Sequence, residues 1–281
     1  MSVHLKTIKS VLKNILLKIS PTFRKVDRME IIINKIERQI NNLNISKQLK
    51  NETEHRTNIV PVESSDDITK KIGDAWIVEQ NRNKYANSYY DDAEECINIF
   101  WSEDTVFYKC FSQLDCSNIV ELACGHGRHV VKYLDKANHI SLVDINEQNI
   151  NFCKNRFSNE KKIDYFVNDG NNFREIKTNS QTSIFTYDAM VHFEMLDILS
   201  YIKEANRILI TGGKILFHHS NADYKPELGW DKDGGRNFMS ADIFAYLAIR
   251  HGFIVLSQDI FPWGSTKVSD CLSLCKKVKD I

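Results

Sequence analysis

The residues with the most chemistry in them lie in the segment NIVELACGHGRH, positions 118–129. An apolar, strand-like run there enters a Gly125-x-Gly127 loop that opens a helix. Glycine lets a backbone approach a ligand closely, and a helix N-terminus presents unpaired N–H groups. Asp144 stands at the end of the next strand-like run, ISLVDIN, 17 residues beyond Gly127. A carboxylate at that point accepts hydrogen bonds from both hydroxyls of a ribose. A glycine pair alone means little. Loop, acid on the following strand and a parallel sheet together describe a nucleoside pocket at the C-terminal ends of the strands.

The neighbouring residues narrow the nucleoside. A dinucleotide fingerprint carries a third glycine where this chain has Val130. Glu121, just before the loop, would repel a pyrophosphate and suits a cationic amine. S-adenosylmethionine has a ribose, a sulfonium cation and an amino-acid tail, and no phosphate, so the electrostatics favour it. Two alternatives stay open. An NAD-dependent oxidoreductase shares the sheet and Asp144, against Glu121 and the missing glycine. A non-catalytic, membrane-tethered scaffold would share the fold without the activity.

From about Val120 to the C-terminus the sequence resembles the class I S-adenosylmethionine-dependent methyltransferases. VELACGHG is similar to their first motif, E/D-x-G-x-G-x-G, with Ala123 at the first glycine. The resemblance implies cofactor contacts at Glu121, Ala123, Gly125 and Gly127, and ribose binding at Asp144 with Ile145 beside it. In VNDGNNF it implies Asp169 at the adenine amino group and Gly170 at the ring edge. In IFTYDAMVHF it places Asp188 and Ala189 along the methionine end. NRILITGGKILFHHSN matches the loop and fifth strand that follow. The implied sheet has seven strands, mostly parallel and doubly wound in an α/β fold, in the order 3-2-1-4-5-7-6 with an antiparallel last strand. The fourth motif lacks the N/D-P-P-Y/F of amino-directed enzymes, which tilts the acceptor towards oxygen. YDAMVHFEM with HHSN further resembles bacterial sugar and polysaccharide O-methyltransferases, which implies a small or saccharide acceptor.

A hydroxyl acceptor needs a base, and a neutral imidazole serves near pH 7. His192 follows the fourth strand at the catalytic end; its plain alternative is a histidine that caps or packs a helix start. His218 and His219 end the fifth strand and point to opposite faces, so one of the two is expected to face the pocket. All three are the catalytic candidates. With Asp188 they show no metal-ligand spacing, so no metal is expected. Arg128 and His126 are read as fold residues, and the aromatic run before the first motif as core, with a cover over the cofactor by Trp101 or Tyr90 as the alternative. The connection Ala222–Phe238 is too long for a plain turn and is expected to be an acceptor-binding lid.

Those residues need a frame. The chain has 281 residues, 42% apolar and 26% charged, the balance of a globular protein. A formal net charge of zero gives no footprint for nucleic acid. Seven cysteines without a C-x-x-C pair suit a reduced, cytoplasmic setting without structural zinc. No run approaches the roughly 20 apolar residues of a membrane span, and lysines interrupt the N-terminus as no signal peptide would allow.

Three zones separate. Residues 1–45 are helical: Leu5, Ile8, Leu12, Ile15, Leu16 and Ile19 form the apolar face of a basic helix. That helix suits a peripheral contact of residues 1–20 with the inner membrane face, or packing on the protein itself. Ile33, Ile36, Ile40 and Leu43 form a short heptad-like seam, a candidate homo-oligomer contact over 31–43. Residues 46–69 are a linker, and 70–281 the catalytic domain. Within it strands are expected at 119–123, 140–144, 163–167, 183–187 and 214–218, then a hairpin of 253–261 and 270–277. Helices are expected near 127–136 and 146–157, at 194–209 with a Thr211-Gly212-Gly213 cap, and at 241–251.

Overall fold

The computed structural model describes residues 89–222, 236–262 and 269–281, with Lys70, Lys71, Gly73 and Asp74. The chain divides into two units, Met1–Pro61 and Val62–Ile281, and every described residue lies in the second. The basic helix, the heptad-like seam, the linker and positions 223–235 of the expected lid lie outside the described residues.

Three short helices come first: α1 (Tyr89–Glu95), α2 (Ile97–Phe100) and α3 (Val106–Phe111). Then β1 (Asn118–Leu122), α4 (Val130–Tyr133), β2 (His139–Asp144), α5 (Glu147–Arg156), β3 (Ile163–Val167) and β4 (Gln181–Thr186) alternate. A 3-10 turn, Met190–His192, leads to α6 (Met195–Ile208), β5 (Leu209–Asn221), α7 (Ala241–Arg250), β6 (Phe253–Pro262) and β7 (Ser269–Lys277). The sheet order is β3-β2-β1-β4-β5-β7-β6, as expected. β1 to β5 pair in parallel, while β7 runs antiparallel to both β5 and β6.

Helices cover both faces, so the central strands are apolar on both sides. Along β1, Ile119 faces the core of Tyr133, Phe111 and Phe185, while Val120 and Leu122 face Ile198, Tyr201 and Ile202 of α6. Side-chain caps fix the helix starts: Asn146 accepts the Gln148 N–H at α5, and Ser240 accepts the Ile243 N–H at α7.

Two expected boundaries move. The first helical pattern shrinks to α4 and a 3-10 turn over Leu134–Lys136, because residues 123–129 are spent in turns. Thr211-Gly212-Gly213 is no helix cap. α6 stops at Ile208, Leu209 is already extended and pairs with Gln181, and β5 runs 13 residues. A Cβ on Gly213 would lie 3.0 Å from the Thr182 carbonyl and from Leu209, so glycine permits close strand packing there. Among the described residues, no helix is long and apolar enough to cross a membrane.

Candidate active site

The parallel strands end in a cleft of about 1160 Å³, open to solvent. Leu122, Ala123 and Gly125 line it from the β1 loop, Asp144 and Ile145 from β2, and Asn168 and Gly170 from the turn after β3. Asp188, Ala189 and His192 come from the segment after β4, Asp197 and Tyr201 from α6, and Tyr90 and Ala93 from α1.

The loop after β1 is bent through three left-handed residues, Ala123 (φ 56°), Gly125 (φ 54°) and Gly127 (φ 71°). A Cβ on Gly125 would stand 2.8 Å from the Tyr90 ring, at the cleft. A Cβ on Gly127 would stand 2.7 Å from Phe157, behind α5. Gly127 does not line the cleft, so its expected cofactor contact becomes a packing role. Ala123 holds a left-handed conformation that L residues avoid, which is what the family's glycine would have relieved.

Asp144 is nearly buried and held from two sides. Oδ2 accepts the Gly125 N–H (2.9 Å), and Oδ1 accepts the Asn146 N–H (2.8 Å) and Asn149 Nδ2–H (3.1 Å). Burial pushes its carboxyl up from the usual range, against the pull of those donors. Asn149 also donates to Tyr90 Oη (2.7 Å), and Arg156 grips Glu94 through two bonds of 2.9 and 2.7 Å. Helix α1 is thereby fastened over the glycine loop, and Tyr90 lies at the cleft. Trp101 does not: it donates to His129 Nδ1 (3.0 Å) and packs on Phe107 and Phe111.

Several expected contacts are corrected. Glu121 shares its face of β1 with Ile119 and lies behind the cleft, accepting a hydrogen bond from Tyr133 Oη (2.7 Å). Burial pushes its pKa up to about 8, despite the Tyr133 bond and the Arg128 charge, so near neutral pH it is mostly a neutral acid. Asp169 points away from the cleft and pairs with Arg174 (3.1 Å) on the surface; Asn168 lines the cleft instead. Neither His218 nor His219 lines the cleft, since both are fully buried under β7. His219 Nδ1 lies 2.8 Å from the Ser220 carbonyl and Nε2 2.8 Å from Ser273 Oγ, its ring stacked on Phe244. Burial lowers its pKa to about 4, which keeps it neutral.

Arg128, taken from the sequence as a fold residue, spans the cleft wall. Its Nη2 donates to Asp188 Oδ2 (3.1 Å), Nη1 to the Ala93 carbonyl (3.5 Å), and its guanidinium lies 5.7 Å from the Phe100 centroid. His126 is sandwiched between Tyr90 (3.8 Å) and Phe152 (3.7 Å) at the cleft edge. Sequence reasoning also missed Asp197, whose place on the cleft-facing turn of α6 follows only from how that helix docks.

Residues 119–213 match the family described as Methyltransferase domain. The match spans about a third of the chain and takes in the glycine loop, Asp144, Asp188 and His192. An S-adenosylmethionine-dependent methyltransferase from Mesorhizobium loti has a similar structure, with 14% identity, a TM-score of 0.51, 61% of this chain covered and 97% of that one. The YcgJ protein of Bacillus subtilis is similar at 10% identity and a TM-score of 0.50, over 61% of this chain and 97% of the other. Geranyl diphosphate methyltransferase, solved in complex with S-adenosylmethionine, is similar at 11% identity and a TM-score of 0.50, over 61% and 85%. These identities speak to the fold, which is that of the class I enzymes. None of the curated proteins compared with the chain matches it.

The family match and the fold point to S-adenosylmethionine as the cofactor, and the donor set of the cleft suits it. Asp144 would offer carboxylate oxygen to a ribose, Ile145, Leu122 and Tyr90 an apolar wall to a base, and Asn168 a polar edge. Among the described residues no cationic cradle for a pyrophosphate lines the cleft, and the Arg128 guanidinium there is paired with Asp188.

Proposed function

We propose that the protein transfers a methyl group from S-adenosylmethionine to an oxygen of a small or saccharide acceptor, with His192 as general base. The observation that carries this reading is the shared wall of Asp144, Asp188 and His192 in one cleft. Asp144 holds the ribose, Asp188 and Ala189 border the methionine end, and the Met190–His192 turn sets the imidazole beside it. The bound cofactor supplies an electrophilic methyl on a sulfonium. Transfer of that methyl to the acceptor oxygen would leave the carbon–sulfur electron pair on sulfur, and His192 would take the hydroxyl proton. The absence of N/D-P-P-Y/F around Asp188-Ala189-Met190 supports oxygen over a planar amine.

The narrower resemblance to sugar O-methyltransferases supports a place in cytoplasmic polysaccharide biosynthesis. In that setting residues 1–20 would rest on the inner membrane face near lipid-carried acceptors, and residues 31–43 would pair two chains.

The test is production of S-adenosylhomocysteine with a panel of saccharide acceptors. His192→Ala lowers turnover by about 100-fold or more while affinity for S-adenosylhomocysteine stays nearly constant. Activity within a few-fold of the parent removes His192 as the base. Turnover survives EDTA; a loss restored by magnesium would replace the base with a metal.

A further inference from the structure

His218, Asp270 and Arg236 form a buried chain of polar side chains behind the cleft that no step above uses. Arg236 donates to both oxygens of Asp270, from Nε at 3.1 Å and from Nη2 at 2.7 Å. Asp270 Oδ2 lies 3.3 Å from His218 Nε2, and both side chains are fully buried. The His218 ring is held at 4.7 Å from Tyr187 and 5.4 Å from Phe261. Its other nitrogen, Nδ1, accepts the backbone N–H of Asp188 at 2.9 Å.

That last bond fixes the tautomer: Nδ1 offers a lone pair, so the proton sits on Nε2 and faces the Asp270 carboxylate. The same bond explains a strained residue. Asp188 has φ 60°, a left-handed conformation unfavourable for any residue with a Cβ. Its carboxylate is held in front by Arg128 and its amide from behind by His218.

We propose that His218 is a positioning residue of the methyl-transfer site, aligned by Asp270 and Arg236, that holds Asp188 in its left-handed conformation and so sets the cleft wall. The role rests on the cleft being that site. It needs an acceptor at the δ position of residue 218, and no exposure of the imidazole to substrate. Asparagine places an oxygen near that δ position; glutamine places its amide one bond farther out, and phenylalanine has no acceptor at all.

The experiment follows the Asp188 amide by hydrogen exchange in the 15N-labelled full chain, with S-adenosylhomocysteine affinity measured alongside. In His218→Phe the amide exchanges at least about 100-fold faster and affinity falls about tenfold, whereas His218→Asn restores both to within several-fold of the parent. His218→Gln, polar and closer in volume, carries the test if the phenylalanine variant does not fold; it too loses the protection. Unchanged Asp188 protection in a folded Phe or Gln variant overturns the proposal, as does equal loss in Asn and Gln. The two readings fail separately: a parent chain that binds no S-adenosylhomocysteine sinks the cofactor site, while the amide result still reports on His218.

Discussion

Arg128 reaches across the cleft wall to Asp188, Nη2 to Oδ2 at 3.1 Å, with side chains only 13% and 15% exposed. The pair ties the loop after β1 to the segment after β4, and through Ala93 to the helix above them. Arg128→Ala therefore strips the contacts to Asp188, Ala93, His129 and Phe100 and takes the guanidinium away from a largely buried carboxylate. Stability falls by about 2 kcal/mol in urea denaturation, and S-adenosylhomocysteine affinity falls with it. Arg128→Lys recovers little of either, since an ammonium cannot serve Asp188 and Ala93 from one planar fork. Full recovery by lysine would show that charge alone matters.

Asp144 answers to both cofactor and loop. Asp144→Ala weakens S-adenosylhomocysteine binding by about 1–3 kcal/mol, the cost of ribose hydroxyls left unpaired. It also frees the Gly125 and Asn146 N–H groups, so the melting temperature drops even without ligand. Calorimetric titration and thermal melting measure the two losses. Unaltered affinity in a folded variant would remove Asp144 from the cofactor site.

The two glycines of the loop separate by role. Alanine at either forces a left-handed Cβ into a ring, at Tyr90 for Gly125 and at Phe157 for Gly127. Each substitution costs about 1–3 kcal/mol of stability. Only Gly125→Ala also weakens ligand binding, because only Gly125 lines the cleft. Equal binding losses in both variants would contradict that division.

Glu121 makes stability fall with rising pH. Its pKa is raised from 4.5 to about 8 by burial, so the folded chain holds a proton there that the unfolded chain releases. The contribution is fully present below the unfolded value of 4.5 and is lost as pH climbs through about 8. Urea titrations at pH 5, 6.5 and 8 on Glu121→Gln and the parent isolate it: the variant lacks this downward slope and gains relative to the parent as pH rises. A parallel pH profile in both chains would mean that Glu121 is ionised in the fold.

For the N-terminal segment, the proposed membrane contact predicts that the full chain floats with anionic vesicles at low salt and is released at high salt. Each lysine near the surface adds about 1 kcal/mol. A chain starting near Pro61 stays unbound while still binding S-adenosylhomocysteine. A full chain that sediments away from anionic vesicles refutes the contact.

Much of the frame was readable along the chain. The alternation of strand and helix, the glycine loop and the acid at 144 are local signals, each set within a few residues by backbone geometry. The resemblance added the strand order. Boundaries slipped where pairing outweighed local preference: Gly212 and Gly213 looked like a helix end, yet β5 joins β4 as soon as α6 is complete.

The direction of the polar side chains was decided by the tertiary structure. Period two puts Glu121 and Ile119 on one face of β1, but only the docking of α4 makes that face the core and Tyr133 the partner. His218 and His219 do alternate, as the strand requires. β7 and α7 then bury both, so the one nearest the site acts through a backbone amide. Asn168 takes the place at the cleft expected of Asp169 because the turn after β3 swings Asp169 out to Arg174. Arg128 finds Asp188 across 60 residues of sequence. The sequence fixes which way each local element runs, by short-range sterics and hydrogen bonds. Which groups meet depends on how those elements pack, and a buried polar group is settled only by the partner that packing brings to it.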